Sequence, residues 1–339
     1  MRLATPNLAI VLAPNRRRLA RLAEELEESG LPPAAGAERD LLIEEVERAL
    51  RPAVHEGRVA TSGSLVGPVS PHSTWGQATG LVMTHLHAGP VPTGELRRFV
   101  DGLSSWLCVY PGTREGILVL FDRPVASERD LVVLAKAVQG TVVQRHPSGT
   151  VRVVGRFGAL PWNGLEWRLE KPVRSWLEAL GTGGDDAILE PLLEFAVHDL
   201  AAARIGAVLI ARSDAAPGPG FQDRLAEPPP FSVLEPSHLA PLRHALAHVD
   251  GAAIFDAGGS LRRLGVILRP SDSSALAVPP IGGTRHTSAA RYSFDDPAAL
   301  VIVVSEDGPV TVLQAGEILA RSRPATGGLA LGASAGDHL

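Results

Sequence analysis

Three runs of apolar residues, Ala207–Ile210, Ala252–Phe255 and Leu300–Val304, are short and carry no charge. Bounded by glycine and polar residues, each reads as a buried strand rather than a helix, which would need at least about ten residues. Between and around them lie stretches of helical spacing. Leu189, Leu192, Leu193, Ala196 and Leu200 predict a helix over 188–204, stopped by Gly206, and a second helix is predicted over 238–247. A further strand is predicted around 266–268. Helices alternating with short apolar strands restrict this half of the chain to an α/β class.

The N-terminal half repeats the theme less regularly. Residues 7–12 read as a strand, and Leu19, Leu22 and Leu26 predict a helix from Asn15 to Ser29 with Gly30 as its stop. A helix over 40–50, a strand at 116–121 and a helix over 127–138 follow. Thr141–Gln144 and Thr150–Val154, joined through Pro147-Ser148-Gly149, predict a hairpin. This half reads as a separate mixed α/β domain, or two small ones, with a regulatory or sensor role suggested by domain order alone. The glycine-rich segment 181–186 is the expected linker, which places the domains at 1–182 and 186–321 with a tail at 322–339. That segment lacks the Gly-Lys-Ser/Thr ending of a phosphate-binding P-loop. The proline-rich residues 214–230 read as a surface loop.

The bulk properties remove several function classes. With 339 residues, 45% hydrophobic and 20% charged, the chain can fill two globular cores. A net charge of −5 without a long basic block argues against a nucleic-acid groove. Cys108 is the single cysteine, so neither an intramolecular disulfide nor a cysteine-built zinc site can form, and its apolar neighbours suggest a small buried hydrophobe. No run approaches the roughly 18 apolar residues of a membrane span. The apolar patch at 8–12 precedes Pro14 and three arginines, the wrong order for a signal peptide. A cytoplasmic protein without membrane or nucleic-acid partners is expected. His85 and His87, with His72, could hold a sensor metal, but the five tryptophans before the linker read as core.

Two polar clusters stand out in the C-terminal half. Asp250-Gly251-Ala252 puts one carboxylate beside small residues, where it can hold a divalent metal or orient a sugar hydroxyl. Gly282-Gly283-Thr284-Arg285-His286-Thr287 is a glycine-rich turn opening onto donors suited to phosphate, and Ser305-Glu306 follows the last buried strand. Each has a plainer reading. Asp250 could cap a turn, His286 could be structural, and Ser305 and Glu306 could be an ordinary polar strand end. His244 and His248 lie four apart on a predicted helix without an evident third ligand.

These residues resemble the diadenylate cyclase domain, which joins two ATP molecules into cyclic di-AMP. Ala203–Ile210, Asp250-Gly251-Ala252, Gly283-Thr284-Arg285-His286 and Val303–Glu306 match its blocks in order, over about residues 186–320. The resemblance implies an α/β fold with a mixed sheet flanked by helices. It also implies attack of each ribose 3′-hydroxyl on the α-phosphate of the other ATP, and a homodimer or higher oligomer with facing sites. Asp250, Arg285 and His286 are the implied catalytic residues. Gly251, Ala252, Leu268, Gly283, Thr284, Arg285, His286, Thr287, Arg291 and Ser305 are the implied ATP contacts. Asp250 and Glu306 are the implied ligands of Mg²⁺ or Mn²⁺. Gly251 and Ala252 would let the nucleotide approach the backbone, and Leu268 and Pro270 fall where the family packs adenine. The family usually has arginine where this chain has Thr287, and a hydroxyl does not replace a bidentate guanidinium in kind. Arg291, one turn on if the segment is helical, could compensate. The alternative is a catalytically weak domain that senses ATP or cyclic di-AMP.

Overall fold

The computed structural model describes residues 16–33, 36–70, 72–86, 92–180, 188–212, 221–222 and 227–322. The chain divides into two compact units, Met1–Ala126 with Asp130–Glu170, and Ser127–Arg129 with Lys171–Leu339. The expected strand at 7–12, His87, the linker at 181–186 and the tail from 323 lie outside the described residues.

The first unit holds a small hairpin, β1 (Val54–His55) and β2 (Arg58–Val59), and a seven-stranded sheet. The sheet comprises β3 (Ser62–Val66), β4 (Met83–Leu86), β5 (Ser105–Val109), β6 (Gly116–Phe121), β7 (Thr141–Arg145), β8 (Val151–Gly155) and β9 (Gly158–Trp162). Their order is β4-β6-β5-β3-β7-β8-β9, with β3 and β5 the parallel pair. Helices Arg16–Glu28 and Ala37–Leu50 bury Leu22, Leu26, Ile43 and Val46 against one face. Trp75, Leu131, Leu134 and Val138 cover the other. Cys108 and Trp106 are fully enclosed, and burial pushes the Cys108 thiol up to about 12, so it is inert. His72 pairs with the Tyr110 hydroxyl at 3.0 Å, which gives it a structural partner.

The second unit is a three-layer sandwich. Its strands are β10 (Ala207–Ala211), β11 (Phe221–Gln222), β12 (Ala252–Phe255), β13 (Leu261–Leu268), β14 (Leu300–Val304), β15 (Val310–Gln314) and β16 (Glu317–Arg321). They are ordered β11-β13-β12-β10-β14-β15-β16, with β10 and β12 parallel and all other neighbours antiparallel. Side chains alternate across a strand, so the apolar runs feed two cores at once. Leu209, Ala253, Phe255, Ile302 and Val304 face the helices Val173–Leu180, Leu189–Ala201 and Pro236–His248. Val208, Ile210, Ile254, Val301 and Val303 face the helix Thr284–Asp295. A fully enclosed side chain of this size contributes about 1.5–3 kcal/mol, so the central strands are the least replaceable part of the unit.

Three expectations need correction. Val173 and Trp176 bury in the second unit's core, so its edge lies at Lys171 rather than after residue 182. The segment 214–230 is not all loop, because Phe221 and Gln222 pair with Leu268 and Ile267 as an edge strand. The helix expected through 204 is α-helical only to Glu194, is π-helical over Phe195–Ala201, and is not stopped by Gly206. Arg204 ends it by taking a left-handed conformation, φ 57°. Its N–H then donates to the Ala201 carbonyl at 3.0 Å, and the Ile205 N–H donates to that of Leu200 at 2.9 Å. This is the paired hydrogen-bond closure of a helix C-terminus, made with arginine where glycine is usual. Among the described residues, no helix is long and apolar enough to cross a membrane.

Candidate functional site

Strand direction assembles the site. The register pairs Val208 with Ala252 in parallel and Ala207 with Val304 antiparallel. The residues entering β10 and β12 and those leaving β14 therefore share one end of the sheet. That end carries Gly206, Asp250-Gly251 and Ser305-Glu306. It is the amino end of the parallel pair, whereas open parallel sheets usually bind ligands at their carboxyl ends. Chemistry at this end therefore depends on the side chains that line it rather than on the fold.

A cavity of about 270 Å³ opens there, lined by Asp250, Gly251, Arg285 and Glu306, by Arg204–Gly206, and by the helix end Leu246–Val249. Asp250 is exposed and makes no hydrogen bond or ion pair among the described residues. The Arg285 guanidinium lies 3.6 Å from the Glu306 carboxylate, with the two side chains 39% and 74% exposed. Gly206 lies directly beneath that pair. A Cβ added to it would fall 2.2 Å from Arg285 Nη1 and 2.9 Å from Glu306 Cγ. The smallness of Gly206 thus serves the arginine, a role that linear sequence could not reveal.

Arg285 is the second residue of the 12-residue helix Thr284–Asp295, whose N-cap Gly283 offers no side-chain cap. Uncapped N–H groups and the positive end of the helix dipole favour an anion at this terminus. At the next position, still in the first turn, His286 Nε2 pairs with Thr311 Oγ1 at 3.3 Å. Burial first, then the Arg321 and Arg285 guanidiniums, hold the imidazole below its ordinary value against the opposing pull of Asp307. These influences favour the neutral imidazole, a hydrogen-bonding group, over the cation.

Several expected contacts fall outside the cavity lining. The Thr287 hydroxyl donates back to the Gly282 carbonyl at 3.4 Å. Arg291 is on the helix as expected, but its Nε donates to the Val278 carbonyl at 3.1 Å, tying the helix to the end of Asp272–Ala277. Leu268 packs against the core under Thr284–Asp295. Ser305 closes a turn, accepting from Gly308 N–H at its carbonyl and donating its own N–H to Pro309. Gly283 and Thr284 lie at the helix start, beside the cavity-lining Arg285.

Gly251 and Ala252 owe their size to protein packing. Gly251 has φ 111°, and an added Cβ would sit 2.6 Å from the Gly265 carbonyl carbon. Gly265 lies where the β12–β13 register slips between Ala252 and Ala253. Ala252 is 1% exposed, inside the core. A larger side chain at either position would meet strand β13 or the core, while Gly251 also lines the cavity.

Hard oxygen donors suit Mg²⁺ or Mn²⁺, and Asp250 and Glu306 both line the cavity. No cluster of three or more His, Cys, Asp or Glu side chains is placed to hold an ion among the described residues. Mg²⁺ is commonly held by one or two carboxylates together with substrate phosphates, so this donor set fits an ion that arrives with a nucleotide. His248 also lines the cavity, with its Nδ1 donating to the His244 carbonyl at 2.8 Å.

Residues 194–318 match the family model described as "DisA bacterial checkpoint controller nucleotide-binding". The C-terminal domain belongs to that nucleotide-binding family. Residues 20–170 match a second model, described as "Probable sensor domain DACNK", so a sensor-type domain precedes the nucleotide-binding one. No curated protein matches the chain. Among solved structures, one described as a hypothetical membrane spanning protein from Bacillus cereus aligns at 20% identity and a TM-score of 0.34, covering 43% of this chain and 68% of its own.

Proposed function

We propose that the C-terminal domain is a diadenylate cyclase, condensing two ATP molecules into cyclic di-AMP and two pyrophosphates. The observation that carries this reading is the shared cavity at the amino ends of β10 and β12. It places an unengaged carboxylate, Asp250, together with a guanidinium at a helix start, Arg285, in a nucleotide-binding family domain. In each half-reaction a ribose 3′-oxygen forms a bond to the α-phosphorus of the other ATP. The bond to the leaving pyrophosphate breaks, and the hydroxyl proton is released. Asp250 orients the hydroxyl, and Arg285 and the first N–H groups of its helix neutralise phosphate charge. Alignment and charge neutralisation supply most of the rate in such transfers. With Mg²⁺ or Mn²⁺ held by Asp250 and Glu306, the ion would add further charge neutralisation at the phosphate oxygens.

A cavity of about 270 Å³ is smaller than the roughly 300–1,000 Å³ of enclosed ligand sites. One such site cannot hold both substrates in two-fold apposition, so two copies face each other, each supplying half the reaction chamber. The sensor-type domain would regulate the reaction by shifting the fraction of paired domains, in the cytoplasm where ATP is supplied.

The second reading, a catalytically weak nucleotide sensor, draws on Thr287 and Arg291, both turned to backbone carbonyls. Incubating the full chain with ATP and Mg²⁺ or Mn²⁺ separates the two. Cyclic di-AMP should form, with specific activity rising with protein concentration until pairing saturates. Asp250→Asn should lower the rate by at least about a hundredfold. ATP binding without product from the unmutated chain would leave only the sensor.

A further inference from the structure

Arg204 lines the same cavity, yet nothing in the motif pattern assigns it a role. Among the described residues, four other than glycine adopt positive φ: Glu56, Gln139, Arg204 and Ala315. Arg204 is the one among them that lines the cavity. Glycine would take this left-handed position at no steric cost, whereas an L side chain there is strained. Backbone strain of this kind gathers at functional sites, where the surroundings compel it.

The charge pattern of the cavity says what the strained residue could do. Arg285 is engaged with Glu306. The Arg204 side chain is exposed and makes no hydrogen bond or ion pair among the described residues. The described lining therefore holds one unengaged cation, Arg204, and one unengaged carboxylate, Asp250. The helix closure explains the turn but not the guanidinium, because both closing bonds are made by backbone groups. Any residue able to enter the left-handed region would close the helix equally well.

We propose that Arg204 is a substrate-binding residue, holding the terminal phosphates of the bound nucleoside triphosphate, and the pyrophosphate after it leaves. A guanidinium gives charge-assisted, forked contacts to phosphate oxygens that a neutral side chain cannot supply. Fixing the backbone in the left-handed conformation aims the side chain into the cavity. The proposal deepens the cyclase reading and rests on it for the identity of the nucleotide.

Arg204→Gly separates binding from folding, because glycine suits the backbone while the exposed side chain, guanidinium included, is removed. In the full-length protein its melting temperature should stay level or rise, while ATP binding weakens at least about tenfold. AMP, without the terminal phosphates, should lose much less. Arg204→Lys, which keeps the charge without the fork, should fall between. Equal ATP affinity in Arg204→Gly and unmutated protein would overturn the proposal. So would equal losses for ATP and AMP, which would place the contact away from the terminal phosphates. A lowered melting temperature would show the guanidinium to be part of the fold and would overturn it as well. Pyrophosphate serves as an independent probe. If it binds through Arg204 while no cyclic di-AMP forms, the anion contact stands and the cyclase reading falls. If neither ATP nor pyrophosphate binds the unmutated protein, both fall.

Discussion

Gly206→Ala tests whether the arrangement around Arg285 governs function. Gly206 has no left-handed φ, so alanine suits its backbone, and the conflict lies entirely with side chains above it. The new methyl would sit 2.2 Å from Arg285 Nη1, while ordinary contact begins at 3.4 Å. The guanidinium must therefore withdraw by at least about 1.2 Å (3.4 − 2.2). Arginine is flexible and this one is 39% exposed, so the side chain yields before the strands do. The stability terms are small and opposed. Loss of an exposed ion pair costs about 0–1 kcal/mol, and replacing glycine by alanine returns about 0.4–1 kcal/mol through the unfolded chain. The melting temperature should stay within about 4 °C of the parent. Activity should respond far more. Losing one charge-assisted phosphate contact removes about 1.5–3 kcal/mol, which is a fall of about 10–150-fold in kcat/KM. Product formation from ATP, measured beside thermal unfolding, reads both quantities. A folded variant with parental kcat/KM would refute the role given to Arg285. An unfolded one would refute the claim that its side chain is what yields.

Two further outcomes follow from the geometry. Gly251→Ala combines φ 111° with a contact of 2.6 Å to the backbone of Gly265; it should destabilise the domain by about 2–4 kcal/mol, and a chemical-denaturation midpoint equal to the parent's would contradict this. The His286 imidazole should titrate below its ordinary value of about 6.5, as followed by NMR. Between its folded and unfolded values the unfolded chain binds more protons, so stability is fully present above about 6.5 and is lost as the pH falls through the folded value. His286→Asn should flatten that dependence, and a midpoint at or above 6.5 would refute the burial argument.

Much of the fold was legible because unbroken apolar runs have few uses. Ala207–Ile210, Ala252–Phe255 and Leu300–Val304 could only be covered strands, and they form the centre of the second sheet. The helix Thr284–Asp295 was harder to read, because its buried residues are Ala289, Ala290, Tyr292 and Ser293 rather than a row of large apolar side chains. The two polar clusters could be recognised from residue type and order, since a carboxylate beside small residues and donors at a glycine turn each suggest a chemistry.

What the linear order could not contain is which of those residues meet. That depends on β10 running parallel to β12 and antiparallel to β14, which brings residues 206, 250 and 306 to one edge from positions far apart in the chain. The same tertiary geometry turned Arg291 to the Val278 carbonyl and enclosed Ala252 in the core. It also ended a helix at Arg204 instead of Gly206, leaving the arginine at the cavity and the glycine beneath Arg285. Residue type sets what a side chain can do, and strand direction and register set which other side chains it can do it with.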